Sequence, residues 1–156
     1  MLGRMRAKRT IAVIAAFLGL TAMAVSPASA AAGSWKAYGN TNPITSSPHT
    51  WACAGSKTIG TDVLAQVCAI RSSSGGSAQG AVIVRNNRPG LFSTTAMVDL
   101  WTQGRGQLGI WECPSSGVAG NSWSVCFGRS QSVPSSDLAN SFGSARDVYL
   151  GVSGLV

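Results

Sequence analysis

The sequence predicts an all-β domain: an antiparallel β-sandwich of about seven short strands with two intradomain disulfides, preceded by a cleaved signal peptide. Three observations support this. Residues 50–156 contain short apolar or alternating segments, separated by Gly, Asn, Pro and Ser, without a long helical periodicity. The four cysteines form an even set. The chain also opens with the pattern of an export signal.

The first thirty residues have the three parts of a signal peptide. A basic start with no acidic residue comes first, formed by Arg4, Arg6, Lys8 and Arg9. An apolar run over 11–25 follows, and the small residues Ala28-Ser29-Ala30 match a cleavage site. The apolar run is shorter than the roughly 20 residues of a membrane span. We therefore expect residues 1–30 to be removed, although cleavage after Ala32 fits the same pattern. The mature protein is expected to be secreted and extracellular, without stable membrane insertion.

Removal of the signal changes the charge of the chain. Residues 31–156 keep eight of the twelve basic residues and all five acidic ones, a net charge of +3. The remaining arginines are scattered and form no basic stripe of the kind that binds nucleic acid. We expect no nucleic-acid partner, and no motif predicts a cofactor.

Composition divides the mature chain into a tail and a domain. Residues 31–49 contain two glycines and two prolines and are expected to be flexible, whereas 50–156 form the β-sandwich. The strands are predicted at 50–54, 63–71, 79–86, 92–101, 107–113, 121–128 and 145–152. A short helix is expected within 138–142.

The cysteines predict two disulfides in an exported chain. Three pairings are possible for Cys53, Cys68, Cys113 and Cys126. Closeness in sequence favours Cys53–Cys68 and Cys113–Cys126, each tying neighbouring strands. Zinc is the rival interpretation, but no Cys-x2-Cys pair occurs and His49 is the sole histidine, so no metal site is predicted.

The hairpin formed by 92–101 and 107–113 allows a prediction of which side chains share a face. A turn centred on Gly104 pairs Trp101 with Gln107. The pairs that follow, Leu100 with Leu108 and Val98 with Ile110, form the apolar face. The opposite face then carries the polar and aromatic residues, among them Asp99, Trp101, Gln107, Trp111 and Cys113. A shift of the turn by one residue would reverse this assignment.

The strand 121–128 leads to the same expectation. Its alternation places Cys126 on a face lined by Ser122 and Ser124, and a disulfide to Cys113 would put Trp111 on that polar face. Both patterns predict an outer face that displays two indole rings, with Trp101, Trp111, Asp99 and Gln107 as candidate ligand-binding residues. The alternative is that both tryptophans pack over the disulfide beneath a loop.

These observations favour a secreted, non-catalytic binding module for a polysaccharide or cell-wall surface. The second hypothesis is a protein-binding or protease-inhibitor-like protein that presents the loop 114–121, inside the Cys113–Cys126 ring. A small extracellular hydrolase is the third. It would need His49 near a carboxylate such as Glu112, which alternation points inward, and near Arg129, and nothing in the spacing brings them together. No catalytic residue is predicted.

Overall fold

A computed structural model describes residues 29–156; the predicted signal peptide therefore lies outside the described residues except for its last two positions. Twelve strands form the described part of the chain, and no helix there is long and apolar enough to cross a membrane. The strands are β1 Ala31–Ala32, β2 Ser34–Gly39, β3 Thr50–Cys53, β4 Lys57–Gly60, β5 Val63–Arg71, β6 Ser77–Asn86, β7 Phe92–Thr102, β8 Gly106–Val118, β9 Ser122–Phe127, β10 Gln131–Ser132, β11 Ala139–Ala145 and β12 Val148–Val152.

The strands form two sheets packed face to face. The five-stranded sheet has the order β1-β8-β7-β11-β12, and the seven-stranded sheet has the order β2-β9-β6-β5-β3, with β10 beside β6 and β4 beside β5. Neighbouring strands are antiparallel except β1 and β8, which are parallel. The prediction of an all-β, sandwich-like fold is confirmed.

The main core lies between the sheets. Strand alternation turns Val63, Val67 and Val82 inward from the seven-stranded sheet, and these side chains meet Val98 and Leu100 from the five-stranded sheet. All five side chains are fully buried. Since apolar burial contributes about 25 cal/mol per Å², this interface is the principal stabilising contact between the sheets.

The strand count and the helix were predicted incorrectly. Residues 29–156 contain twelve strands instead of about seven, and the region 138–142 lies mostly in β11, between β7 and β12. The inward side chains of β11 are small and include Gly143, so the strand lacks the apolar alternation that marks a half-buried strand. A Cβ at Gly143 would lie 2.9 Å from side-chain carbons of Val67 and Val82, so the close packing of this strand requires glycine.

Residues 31–49, expected to be flexible, contain two strands. Strand β2 pairs with β9, and Trp35 packs against the core while its Nε1 donates to the Pro114 carbonyl at 2.7 Å. This contact joins β2 of one sheet to β8 of the other. The connection 40–49 then passes over the outer face of the seven-stranded sheet, where Ile44 packs on a second apolar cluster.

Both predicted disulfides are present. Cys53 and Cys68 lie directly opposite each other on β3 and β5, with their Cα atoms 4.0 Å apart. Cys113–Cys126 instead joins β8 to β9, and so links the two sheets through the core. The bridges therefore secure one sheet edge and the contact between the sheets.

A buried arginine fastens the end of the chain. The Arg71 guanidinium donates to main-chain oxygens of five residues: Gly75, Val133, Pro134, Asp137 and Val156. The shortest of these bonds, to Asp137, measures 2.7 Å. Arg71 thus ties the 133–137 segment and the last residue to β5.

Candidate functional site

The β7–β8 hairpin has the predicted turn but not the predicted register beyond it. Trp101 pairs with Gln107 as expected, but a bulge follows, and Leu100 lies opposite Gly109. Val98 consequently faces Trp111 where Ile110 was predicted. One extra residue in a strand reverses the faces of all residues after it, because side chains alternate with a period of two.

The bulge moves Trp111 into the core. Its side chain is 3% exposed and belongs to the same cluster as Cys113 and Cys126. The prediction that Trp111 lies on an outer, ligand-binding face is therefore wrong. Strand β9 was also assigned the wrong way round: Ser122 and Ser124 are buried on the inner face with Cys126. Trp111 and the disulfide do share a face, but it is the inner one.

Two glycines accommodate the buried indole. A Cβ at Gly109 would lie 2.7 Å from the ring of Trp111, and one at Gly128 would lie 2.6 Å from it. Real Cβ atoms do not approach other heavy atoms so closely. The ring of Trp111 therefore occupies space that only glycine leaves free at both positions.

The other three predicted site residues do meet on the outer face of the five-stranded sheet. Trp101 is 37% exposed, and Gln107 Nε2 donates to Asp99 Oδ2 at 2.8 Å. Phe142 of β11 takes the place expected for the second indole, with its ring centroid 6.0 Å from that of Trp101 in an edge-to-face arrangement. We call this group, Asp99, Trp101, Gln107 and Phe142, the Trp101 platform.

The platform has unused hydrogen-bonding capacity and apolar surroundings. Asp99 Oδ1 is covered and has no hydrogen-bond partner among the described residues. Three large apolar side chains of the same sheet are exposed: Met97, Tyr149 and Val152. The pairing of β7, β11 and β12 places them near the platform. Exposed apolar side chains grouped in this way are typical of contact sites.

A second candidate surface, which is concave, lies on the opposite side of the molecule. A groove of about 380 Å³ runs over the outer face of the seven-stranded sheet, beneath the 40–49 connection. Its walls include the aromatic residues Tyr38, Trp51 and Phe127 and the polar residues Lys36, His49 and Gln79. This groove was not predicted from the sequence, because it depends on the pairing of β2 with β9 across about 90 residues of chain. The available signal was the alternation of Trp123 and Phe127 with serines in β9. The predicted orientation of this strand placed the two aromatic side chains on the inner face.

The loop expected for a protease inhibitor is absent at its predicted position. Residues 114–118 continue β8 and pair with the start of β7, where Val118 lies opposite Phe92. The remaining turn is held close to the molecule, since Asn86 Nδ2 donates to the carbonyls of Val118 and Ala119. Only a short turn, 119–121, links β8 to β9.

The residues considered for hydrolysis lie on opposite sides of the sandwich. Glu112 is exposed on the five-stranded sheet beside Met97, not inward as predicted, whereas His49 lies over the outer face of the seven-stranded sheet. His49 Nδ1 accepts a hydrogen bond from the Ser73 backbone N–H at 3.2 Å. Within residues 29–156, no group of three or more His, Cys, Asp or Glu side chains could hold a metal ion.

Comparison with protein-family models, with curated proteins and with solved structures found no match to this chain. The functional conclusion therefore rests on the surfaces described above.

Proposed function

We propose that the protein is an exported, non-catalytic binding module that holds a polysaccharide on the Trp101 platform. One observation carries the proposal: an exposed indole and a second aromatic ring stand beside a hydrogen-bonding Asp–Gln pair on the outer face of a sheet. The sheet supplies a rigid base, so little ordering is needed on binding.

The chemistry of the platform suits a sugar. The axial C–H face of a pyranose is apolar and stacks on an aromatic ring, whereas its hydroxyls need hydrogen-bond partners. Trp101 offers the ring, and Asp99 and Gln107 offer carboxylate and amide groups alongside it. An array of such contacts along a polymer would raise the affinity through multivalency.

A pull-down on insoluble cellulose, chitin and bacterial cell wall tests the proposal. We expect retention of the wild type on at least one of them and loss of retention in Trp101→Ala. The control is Trp123→Ala, which removes an indole of the same size from the other sheet's outer face. Retention on none of the three materials, or equal retention of the two variants, would contradict the proposal.

A protein partner is the second candidate. The exposed side chains of Met97, Tyr149 and Val152 extend the platform with apolar surface, which suits a protein contact better than a sugar. Met97→Lys and Val152→Lys separate the two functions. These changes should leave polysaccharide retention intact and prevent protein capture if the partner is a protein.

We place the protein outside the cell. Two disulfides in a small all-β domain are consistent with an oxidising environment. N-terminal sequencing of secreted material should begin at Ala31, the first residue of β1. Secreted protein that begins at Met1 would contradict cleavage.

A further inference from the structure

The groove on the seven-stranded sheet faces away from the Trp101 platform. Its floor comes from the outward side chains of adjacent strands, including Phe127 of β9, Gln79 of β6 and Ile70 of β5. The 40–49 connection forms its rim, with His49 at the end of that connection. The volume of about 380 Å³ falls in the range of small-ligand sites.

Aromatic rings give the groove an apolar wall. Trp51 and Phe127 pack edge to face with centroids 6.2 Å apart, and Tyr38 lines the side formed by β2. Trp51 Nε1 is enclosed and has no hydrogen-bond acceptor among the described residues. A buried donor without an acceptor costs about 1–3 kcal/mol, so a ligand oxygen within reach of this N–H would restore a missing bond.

Lys36 and His49 supply hydrogen-bond donors to the groove. The Lys36 ammonium lies 5.0 Å from the centroid of the Tyr38 ring. His49 accepts from Ser73 through Nδ1, so the hydrogen-bond network assigns the proton of the neutral ring to Nε2, which is then a donor. Gln79 donates to the Gly128 carbonyl and keeps its own oxygen as an acceptor.

Among residues 29–156, no acidic side chain lines this groove. Two of the acidic residues of the mature chain, Asp99 and Glu112, lie on the outer face of the opposite sheet. The outward side chains of the seven-stranded sheet include two cations, Lys36 and Arg85. The groove therefore complements a ligand that combines a ring with an apolar face and a negative charge.

We infer that this groove is a second binding site, for a carboxylate-bearing sugar such as a hexuronate residue. Its pyranose stacks on the aromatic wall, its carboxylate faces Lys36 and His49, and its hydroxyls meet Gln79 and the Trp51 N–H. This site is separate from the Trp101 platform, so either can exist without the other.

Isothermal titration of the mature, disulfide-bonded protein with a galacturonate hexamer tests the inference. We expect the hexamer to bind more tightly than maltohexaose, a neutral sugar chain of equal length, and to weaken as salt rises. Lys36→Gln should weaken uronate binding about two- to fivefold, the range for an exposed charge pair. Trp51→Phe keeps a ring without the N–H and should weaken it about fivefold.

Lys57→Gln is the matched control. Lys57 also lies over a tyrosine ring, 5.6 Å from the Tyr149 centroid, but outside the groove. The Lys57→Gln variant should bind uronate like the wild type. Trp101→Ala should also bind uronate normally, because its expected loss of polysaccharide retention concerns the Trp101 platform and not the groove.

Four results of the titrations would overturn the inference. These are no binding of the uronate hexamer at millimolar concentration, equal affinity for the neutral hexamer, equal effects of Lys36→Gln and Lys57→Gln, or loss of uronate binding in Trp101→Ala. Backbone amide chemical shifts locate the ligand independently. Shifts confined to residues of β7 and β11 would also overturn it.

Discussion

Replacing Trp111 with Ala should destabilise the fold far more than replacing Trp101. Trp111 is 3% exposed, and its ring fills the space left by Gly109 and Gly128 between the two sheets. Trp101 is 37% exposed and packs edge to face with Phe142, with the ring centroids 6.0 Å apart. Their equal chemistry and different burial make the two substitutions a direct test of the β7–β8 register.

The expected magnitudes differ severalfold. Truncating a buried tryptophan to alanine costs about 3–5 kcal/mol, because apolar contacts are lost and a cavity remains. For Trp101 the loss is the edge-to-face contact and part of the buried area, about 1–1.5 kcal/mol. With a urea m value of about 2 kcal/mol/M, Trp111→Ala lowers the unfolding midpoint by about 2 M and Trp101→Ala by about 0.5–0.75 M.

Urea unfolding of both variants, with the disulfides intact and followed by circular dichroism, measures the difference. The two variants should unfold with similar m values if both keep the native fold. A midpoint for Trp111→Ala equal to or above that of Trp101→Ala would refute the inward orientation of Trp111. The register with Leu100 opposite Leu108 would then be the better description.

Three further predictions concern other contacts. Gly128→Ala should cost about 1–3 kcal/mol in urea unfolding, since its Cβ would lie 2.6 Å from Trp111. Arg71→Met should cost about 3 kcal/mol or more in the same assay, because main-chain oxygens of five residues lose their donor. The Gly104 backbone N–H lowers the pKa of Asp137 below 3.8, with help from Arg105. The ionised Asp137 carboxylate therefore stabilises the folded state at neutral pH, and this contribution disappears as the pH falls below 3.8.

Each of these predictions has its own control. Gly55→Ala meets no atom within 4 Å and should not lower the unfolding midpoint; an equal loss in Gly128→Ala and Gly55→Ala would argue against the contact with Trp111. Arg71→Lys should recover part of the stability lost in Arg71→Met, and no recovery would mean that donation to the carbonyls contributes little. In Asp137→Asn, the free energy of unfolding should fall less steeply as the pH is lowered than it does in the wild type. An equally steep fall would contradict the role of Asp137.

Local features of the sequence were sufficient for much of the fold. Strand β5 was predicted with its observed limits, 63–71, because a long run of apolar and β-branched residues is bounded by turn residues on both sides. Both disulfides were predicted from closeness in sequence. The turn near Gly104 was also placed correctly, since it depends only on the residues of the turn.

Non-local features were missed. Strand β11 has inward residues as small as Gly143, and its place between β7 and β12 depends on how closely it approaches Val67 and Val82. Strand β2 depends on pairing with β9, and the groove exists only because of that pairing. The pattern of residues within β2 or β11 does not indicate which strand each one pairs with.

The sequence by itself therefore determined an all-β domain, its cysteine pairs and three members of the Trp101 platform. The tertiary structure decided which face each β7–β8 residue occupies. One additional residue in β8, Leu108, turns Trp111 inward, and the cost of that bulge is offset by packing an indole against Gly109 and Gly128. Alternation has a period of two, so a single bulge reverses a face, and only contacts between distant strands specify where the bulge lies.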